Sequence, residues 1–114
     1  MTEYIEKLNE FDTLLFSRAA ALEAKASEAA DPAETERLKS KTSGVRRAQE
    51  LTSNFSIQAT KQQIPMVDRK DFISALRNIQ GTLEKEKAKQ KTEYTKAGYA
   101  LAISYINDTI RIEG

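Results

Sequence analysis

The chain contains no cysteine and no histidine. Their absence removes disulfides, thiolate nucleophiles, Cys-based zinc sites, and the side chain most used as general base and metal ligand. Tryptophan is missing too, and only two prolines and four glycines interrupt 114 residues. The glycines, Gly44, Gly81, Gly98 and Gly114, are too scattered to form a phosphate-cradling loop. No apolar run approaches the roughly 20 residues of a membrane span; the longest candidate, Ala97 to Ile106, includes Gly98, Ser104 and two tyrosines. A secretory signal is not expected either, because Met1 to Lys7 is acidic and amphipathic where a leader would be basic and then apolar. The expected location is intracellular, cytoplasmic or within an assembled particle.

What remains is a helix-forming composition, 39 % hydrophobic against 31 % charged, on a chain long enough for one modest core. Residues 1–114 are read as a single helical domain. Leu8, Leu15, Leu22 and Ala29 recur every seven positions, with Tyr4, Phe11 and Ala26 beside them, which predicts an amphipathic helix over about 2–30. Its stripe changes from large residues to alanines, so its C-terminal half admits a closer neighbour. Asp31-Pro32-Ala33-Glu34 marks a second helix start, with Asp as N-cap, Pro at the first helical position and Glu placed to complete a capping box. That helix, over about 32–62, has a sparse stripe (Leu38, Val45, Leu51, Phe55), and Gly44 inside it costs roughly 1 kcal/mol relative to Ala. Asn54 to Thr60 also alternates with a strand period, but an isolated strand has no partner here unless Ile110 to Ile112 supplies it, so the helical reading is preferred. Ile64-Pro65 ends the second helix.

Asp68 or Asp71 caps a third helix whose stripe is Phe72, Leu76, Ile79 and Leu83. Beyond it lies Glu84 to Glu93, almost wholly charged or polar, and then the apolar segment Tyr94 to Ile112. The charged residues are good helix formers with Glu/Lys pairs at i,i+3, which favours one continuous helix over about 68–108. Burial favours a break near 84–93 and a fourth helix that folds back. The expected fold is thus an all-α antiparallel bundle of three long helices, the third either continuous or broken, with the continuous form preferred.

No catalytic constellation is present. Asp68 and Asp71 suit capping better than acid-base or metal chemistry, and neither a cofactor nor a metal ion is expected. The net charge is only +1, with six acids and three bases in residues 1–30, four and six in 31–65, and seven and nine in 66–114. That distribution suits packing of an acidic helix between basic ones. Arg37, Lys39, Lys41, Arg46 and Arg47 could form a basic face, but Glu34, Glu36 and Glu50 dilute it, so nucleic-acid binding ranks third. Lysines 85, 87, 89 and 91 point around a helix and lack the apolar face a membrane-surface helix needs. The leading expectation is a non-enzymatic structural or assembly subunit, acting through helix contacts with a protein partner or its own copies. Its interface is expected at Tyr94, Tyr99, Leu101, Ile103, Tyr105 and Ile106, where tyrosines and small residues suit close helix approach. A monomeric adaptor or chaperone is the alternative.

Ile64-Pro65, Arg69, Leu83-Glu84-Lys85-Glu86-Lys87 and Glu93-Tyr94 with Ala97 are loosely similar to tubulin-binding cofactor A, a family of three-helix chaperones. The similarity covers the C-terminal half; the first sixty residues have no basic first helix of that family's kind. It implies a layout of three helices and carries no function across. The N-terminal three-helix domains of SNARE proteins share that layout.

Overall fold

The computed structural model describes residues 3–113, which form four helices: α1 (Glu3–Glu28), α2 (Pro32–Thr60), α3 (Arg69–Ala88) and α4 (Glu93–Glu113). Thr2, the expected start of the first helix, lies outside the described residues. The all-α bundle is as expected, and of the two forms weighed for the third helix the broken one, which gives four helices, is what forms.

Each helix end has a local cause. Asp31, in extended conformation, accepts the Ala33 N–H at 3.0 Å, and Pro32 follows it at the first helical position. The other half of the expected capping box does not form. Glu34 instead takes the Arg37 guanidinium in a two-pronged pair, with Nε at 2.9 Å, because a charge-assisted fork outcompetes a single neutral N–H. At its far end α2 closes with paired bonds from Gln62 N–H to Ala59 C=O and Gln63 N–H to Gln58 C=O, and Gln62 adopts φ 60°. This left-handed closure stops the helix before Ile64-Pro65 is reached. A side chain in that conformation costs about 1 kcal/mol, so Gln62→Gly is expected to raise stability by roughly that amount in urea denaturation. Asp68 caps α3 by accepting the Asp71 N–H at 3.0 Å, and the Asp71 carboxylate returns to the Val67 N–H.

The continuous third helix is not what forms. Lys89 N–H and Gln90 N–H turn back onto Glu86 and Lys87 C=O, and Thr92 then starts α4, its hydroxyl accepting the Thr95 N–H at 3.2 Å. Magnitudes explain the choice. Interrupting a helix over three or four good formers forfeits a few tenths of a kcal/mol each. Folding back buries Tyr99, Ile103 and Ile106, each worth about 1.5–3 kcal/mol.

The bundle runs up, down, up, down. Antiparallel neighbours are marked by Asn9 with Ser56 and Glu23 with Arg46 between α1 and α2, and by Gln80 with Asn107 between α3 and α4. The central core comprises Leu8, Leu15, Val45, Ala48, Phe72, Leu76, Ile79, Leu83, Ala102 and Ile106, all nearly inaccessible. α2 packs mainly on α1 and α4, whereas α3 leans chiefly on α4 and meets α1 near the Tyr4 and Phe72 rings, 5.9 Å apart. Helix α2 can take this central place because its inward positions are small or self-satisfied: Gly44, Ala48 and Ala59, with Thr42 and Thr52 bonding back to the Leu38 and Ala48 carbonyls at 2.8 Å.

Gly44 and Gly98 mark the tightest point of the fold. A Cβ on Gly44 would collide with the backbone of Gly98 and Tyr99, and one on Gly98 would collide with Lys41 C=O and lie 3.0 Å from Lys41 Cα. The α2 and α4 backbones therefore touch, and glycine is required on both sides. The helix-weakening Gly44 of the sequence is the contact that seats α4. Gly81 meets nothing and sits on the exposed surface of α3.

Candidate functional site

The expected interface residues all lie on α4, which starts beside Thr92 and is fixed by the Gly44–Gly98 crossing. The fold divides them by helical angle. Tyr99, Ile103 and Ile106 face inward and are 8 %, 8 % and 0 % exposed, so they belong to the bundle's own core. Leu101 and Tyr105 are half-buried, and Tyr94 is 48 % exposed. With Ile112, which is 81 % exposed, these last three follow spacings of seven, four and seven along one side of α4. Ile112 was outside the expected set; its place one turn past Asp108 on the same stripe is the signal that would have found it.

This stripe borders α1, which α4 meets through side chains rather than close backbones. The Arg18 guanidinium lies 5.8 Å from the Tyr105 ring centroid, and Lys7 pairs with Glu113 at 2.6 Å. Hydrogen bonding to Glu113 raises the Lys7 pKa above its ordinary value. Arg69 bonds the Glu113 C=O at 3.1 Å, so the end of α4 is held by both α1 and α3. A cleft opens at each end of the stripe. Beside Tyr94, Leu22 and Leu38 floor a space of about 410 Å³ edged by Lys25, Glu28, Lys41 and the Glu34–Arg37 pair. Beside Ile112, Phe11 and Leu14 floor one of about 290 Å³ edged by Glu10 and the Lys7–Glu113 pair.

On the opposite side of α4 is a polar knot. Arg47 of α2 grips Glu86 of α3 with two bonds of 2.8 Å, and the Tyr99 hydroxyl donates to the same carboxylate at 3.1 Å. The Arg47 fork holds Glu86 below the usual carboxylate range, against partial desolvation and with help from Tyr99. Burial pushes the Tyr99 phenol up, and the Glu86 carboxylate reinforces the shift. The knot spans three helices just before the α3–α4 turn, so it locks that turn's geometry. Because Glu86 has a lowered folded pKa, its contribution is complete above the ordinary carboxylate value, about 4.3, and is lost as pH falls through the folded value. Glu86→Gln is expected to cost about 1–2 kcal/mol at neutral pH and to flatten the acid limb of stability against pH, measured by urea midpoints.

Among the described residues no group of three or more His, Cys, Asp or Glu could hold a metal ion, and no helix is long and apolar enough to cross a membrane. Of the five cations considered for a basic face, Arg37, Arg46 and Arg47 are each engaged by a glutamate.

The molecule is a four-helix bundle. No family model matches the chain, and no curated protein or solved structure is similar enough to indicate kinship.

Proposed function

We propose that this is a non-enzymatic assembly subunit that works by helix-to-helix contact with protein through the outer face of α4. One observation carries the reading. After Tyr99, Ala102, Ile103 and Ile106 have filled the core, Tyr94, Leu101, Tyr105 and Ile112 still form one stripe with solvent-accessible surface, next to clefts that the bundle leaves open. Isolated exposed apolar residues are ordinary, whereas contiguous ones mark contact surfaces. Exposed Phe16 lies apart from this stripe on α1, with the Arg46 guanidinium of α2 5.1 Å from its ring centroid.

The test is site-specific photo-crosslinking in cells producing the full chain. A crosslinker at Tyr94 or Leu101 is expected to give discrete protein adducts, and one at exposed Arg77 on α3 is expected to give none. Absence of adducts from the α4 positions would refute the proposal. Retention of a polyanion such as heparin by the chain, lost on raising salt, would point to the nucleic-acid alternative.

A further inference from the structure

We infer that the partner of the α4 stripe is a second copy of this chain, packed antiparallel about a two-fold axis that crosses α4 at the level of Ile103. The inference rests on the assembly reading above and specifies its occupant.

The stripe is symmetric about that level. Tyr94 and Ile112 stand nine residues to either side of Ile103, Ala97 and Thr109 six, and Leu101 and Tyr105 two. A two-fold contact is self-complementary: if one residue meets another across it, the second meets the first. Antiparallel α4 helices in this register set Tyr94 against Ile112 of the other copy, Leu101 against Tyr105, and small Ala97 against half-buried Thr109. Every large side chain then faces a large apolar one. In a parallel pairing each residue would face itself, and the clefts would lie opposite identical clefts.

The clefts and charges fit the antiparallel arrangement as well. Ile112 of one copy enters the space floored by Leu22 and Leu38 of the other, and Tyr94 enters the space floored by Phe11 and Leu14. In the first cleft Glu34 is held by Arg37, and Lys25 and Lys41, which take part in no ion pair among the described residues, outnumber the remaining Glu28, while Glu10 borders the second cleft and Asp108 lies one turn before Ile112. Antiparallel packing brings the lysines of one copy toward the carboxylates of the other at both ends. Asp108 holds only Arg111, in a pair that is 55 % and 78 % exposed, so it is free to change partner. Four large side chains from each copy place the contact at the small end of specific interfaces, roughly 1,000–1,200 Å² in total.

The cysteine-free sequence makes the register directly measurable. Tyr94→Cys and Ile112→Cys chains, mixed at tens of micromolar and oxidised, are expected to give the mixed disulfide in large excess over either homodimer. In the antiparallel pair the two 94 positions are about 27 Å apart along the helix axis, too far to bridge. Sedimentation velocity of the unmodified chain is expected to show a monomer–dimer equilibrium that Tyr94→Glu, at a position 48 % exposed, abolishes without shifting the melting curve taken at concentrations where both chains are monomeric. Homodimeric disulfides equal to or exceeding the mixed one overturn the antiparallel register. A chain that stays monomeric and gives no mixed disulfide overturns self-pairing, while adducts of another protein in the crosslinking experiment would still sustain the assembly reading.

Discussion

Gly98→Ala is expected to destabilise the bundle by about 2 kcal/mol or more, a large loss for a one-carbon change. The added methyl would overlap Lys41 C=O, with the Lys41 carbonyl carbon only 2.9 Å away. A flexible side chain could swing aside, but a helix backbone cannot, so α4 must lift away from α2 along their shared length. Lifting loosens Ala48, Tyr99, Ala102 and Ile106 together, because dispersion falls steeply with small gaps. Alanine's better helix propensity returns about 1 kcal/mol and does not offset this. Gly44→Ala is expected to behave similarly from the other side, since its methyl would meet Gly98 C=O at 2.8 Å. The double variant should cost less than the sum, because one separation of the helices accommodates both methyls. Gly81→Ala, which meets nothing, is expected instead to stabilise by roughly 0.5–1 kcal/mol. Urea denaturation of the four variants checks the set; equal small gains at all three glycines would contradict the close crossing.

Ending the chain at Thr92 is expected to abolish cooperative unfolding altogether. The deletion removes Tyr99, Ile103 and Ile106 from the core and uncovers Val45, Ala48, Leu76, Ile79 and Leu83 on the remaining helices. At 1.5–3 kcal/mol for each large side chain, the loss is about 5–9 kcal/mol, comparable with the whole stability of a domain this size. The expected observations are a broad, non-sigmoidal thermal melt by far-UV circular dichroism and binding of a hydrophobic dye. If α4 were a free tail, the truncated chain would keep its sharp melt.

Most of the architecture was legible because it depends on local patterns. The heptad from Leu8, the Asp31-Pro32 start and the Phe72 to Leu83 stripe each specify their helix within a few residues. The α3–α4 turn was less legible because Glu84 to Lys91 favours helix at every position, and what opposes helix there is burial between residues far apart in the chain. One local mark was readable: Thr92 followed by Glu93 is an N-cap and first-turn acid, and Lys85 and Lys87 suit a helix C-terminus. The role of Gly44 could not be read from its own helix, since only its crossing with Gly98 gives it a purpose. The expected interface residues all fall on α4, but which of them stay accessible depends on angle about the helix axis relative to α2 and α3. That angle assigns Tyr99, Ile103 and Ile106 to the core and adds Ile112 to the outer stripe.

The central structural claim, that α4 folds back along α3, is tested most directly by one intramolecular distance. Lys70→Cys/Arg111→Cys, spin-labelled in the otherwise cysteine-free chain and diluted with unlabelled protein, reports the separation of the two ends by double electron–electron resonance. Because Arg69 bonds the Glu113 carbonyl, the fold-back predicts a narrow distribution centred below about 25 Å, allowing for the reach of the labels. A continuous helix would separate the same sites by about 60 Å at 1.5 Å per residue. A distribution centred there would contradict the account.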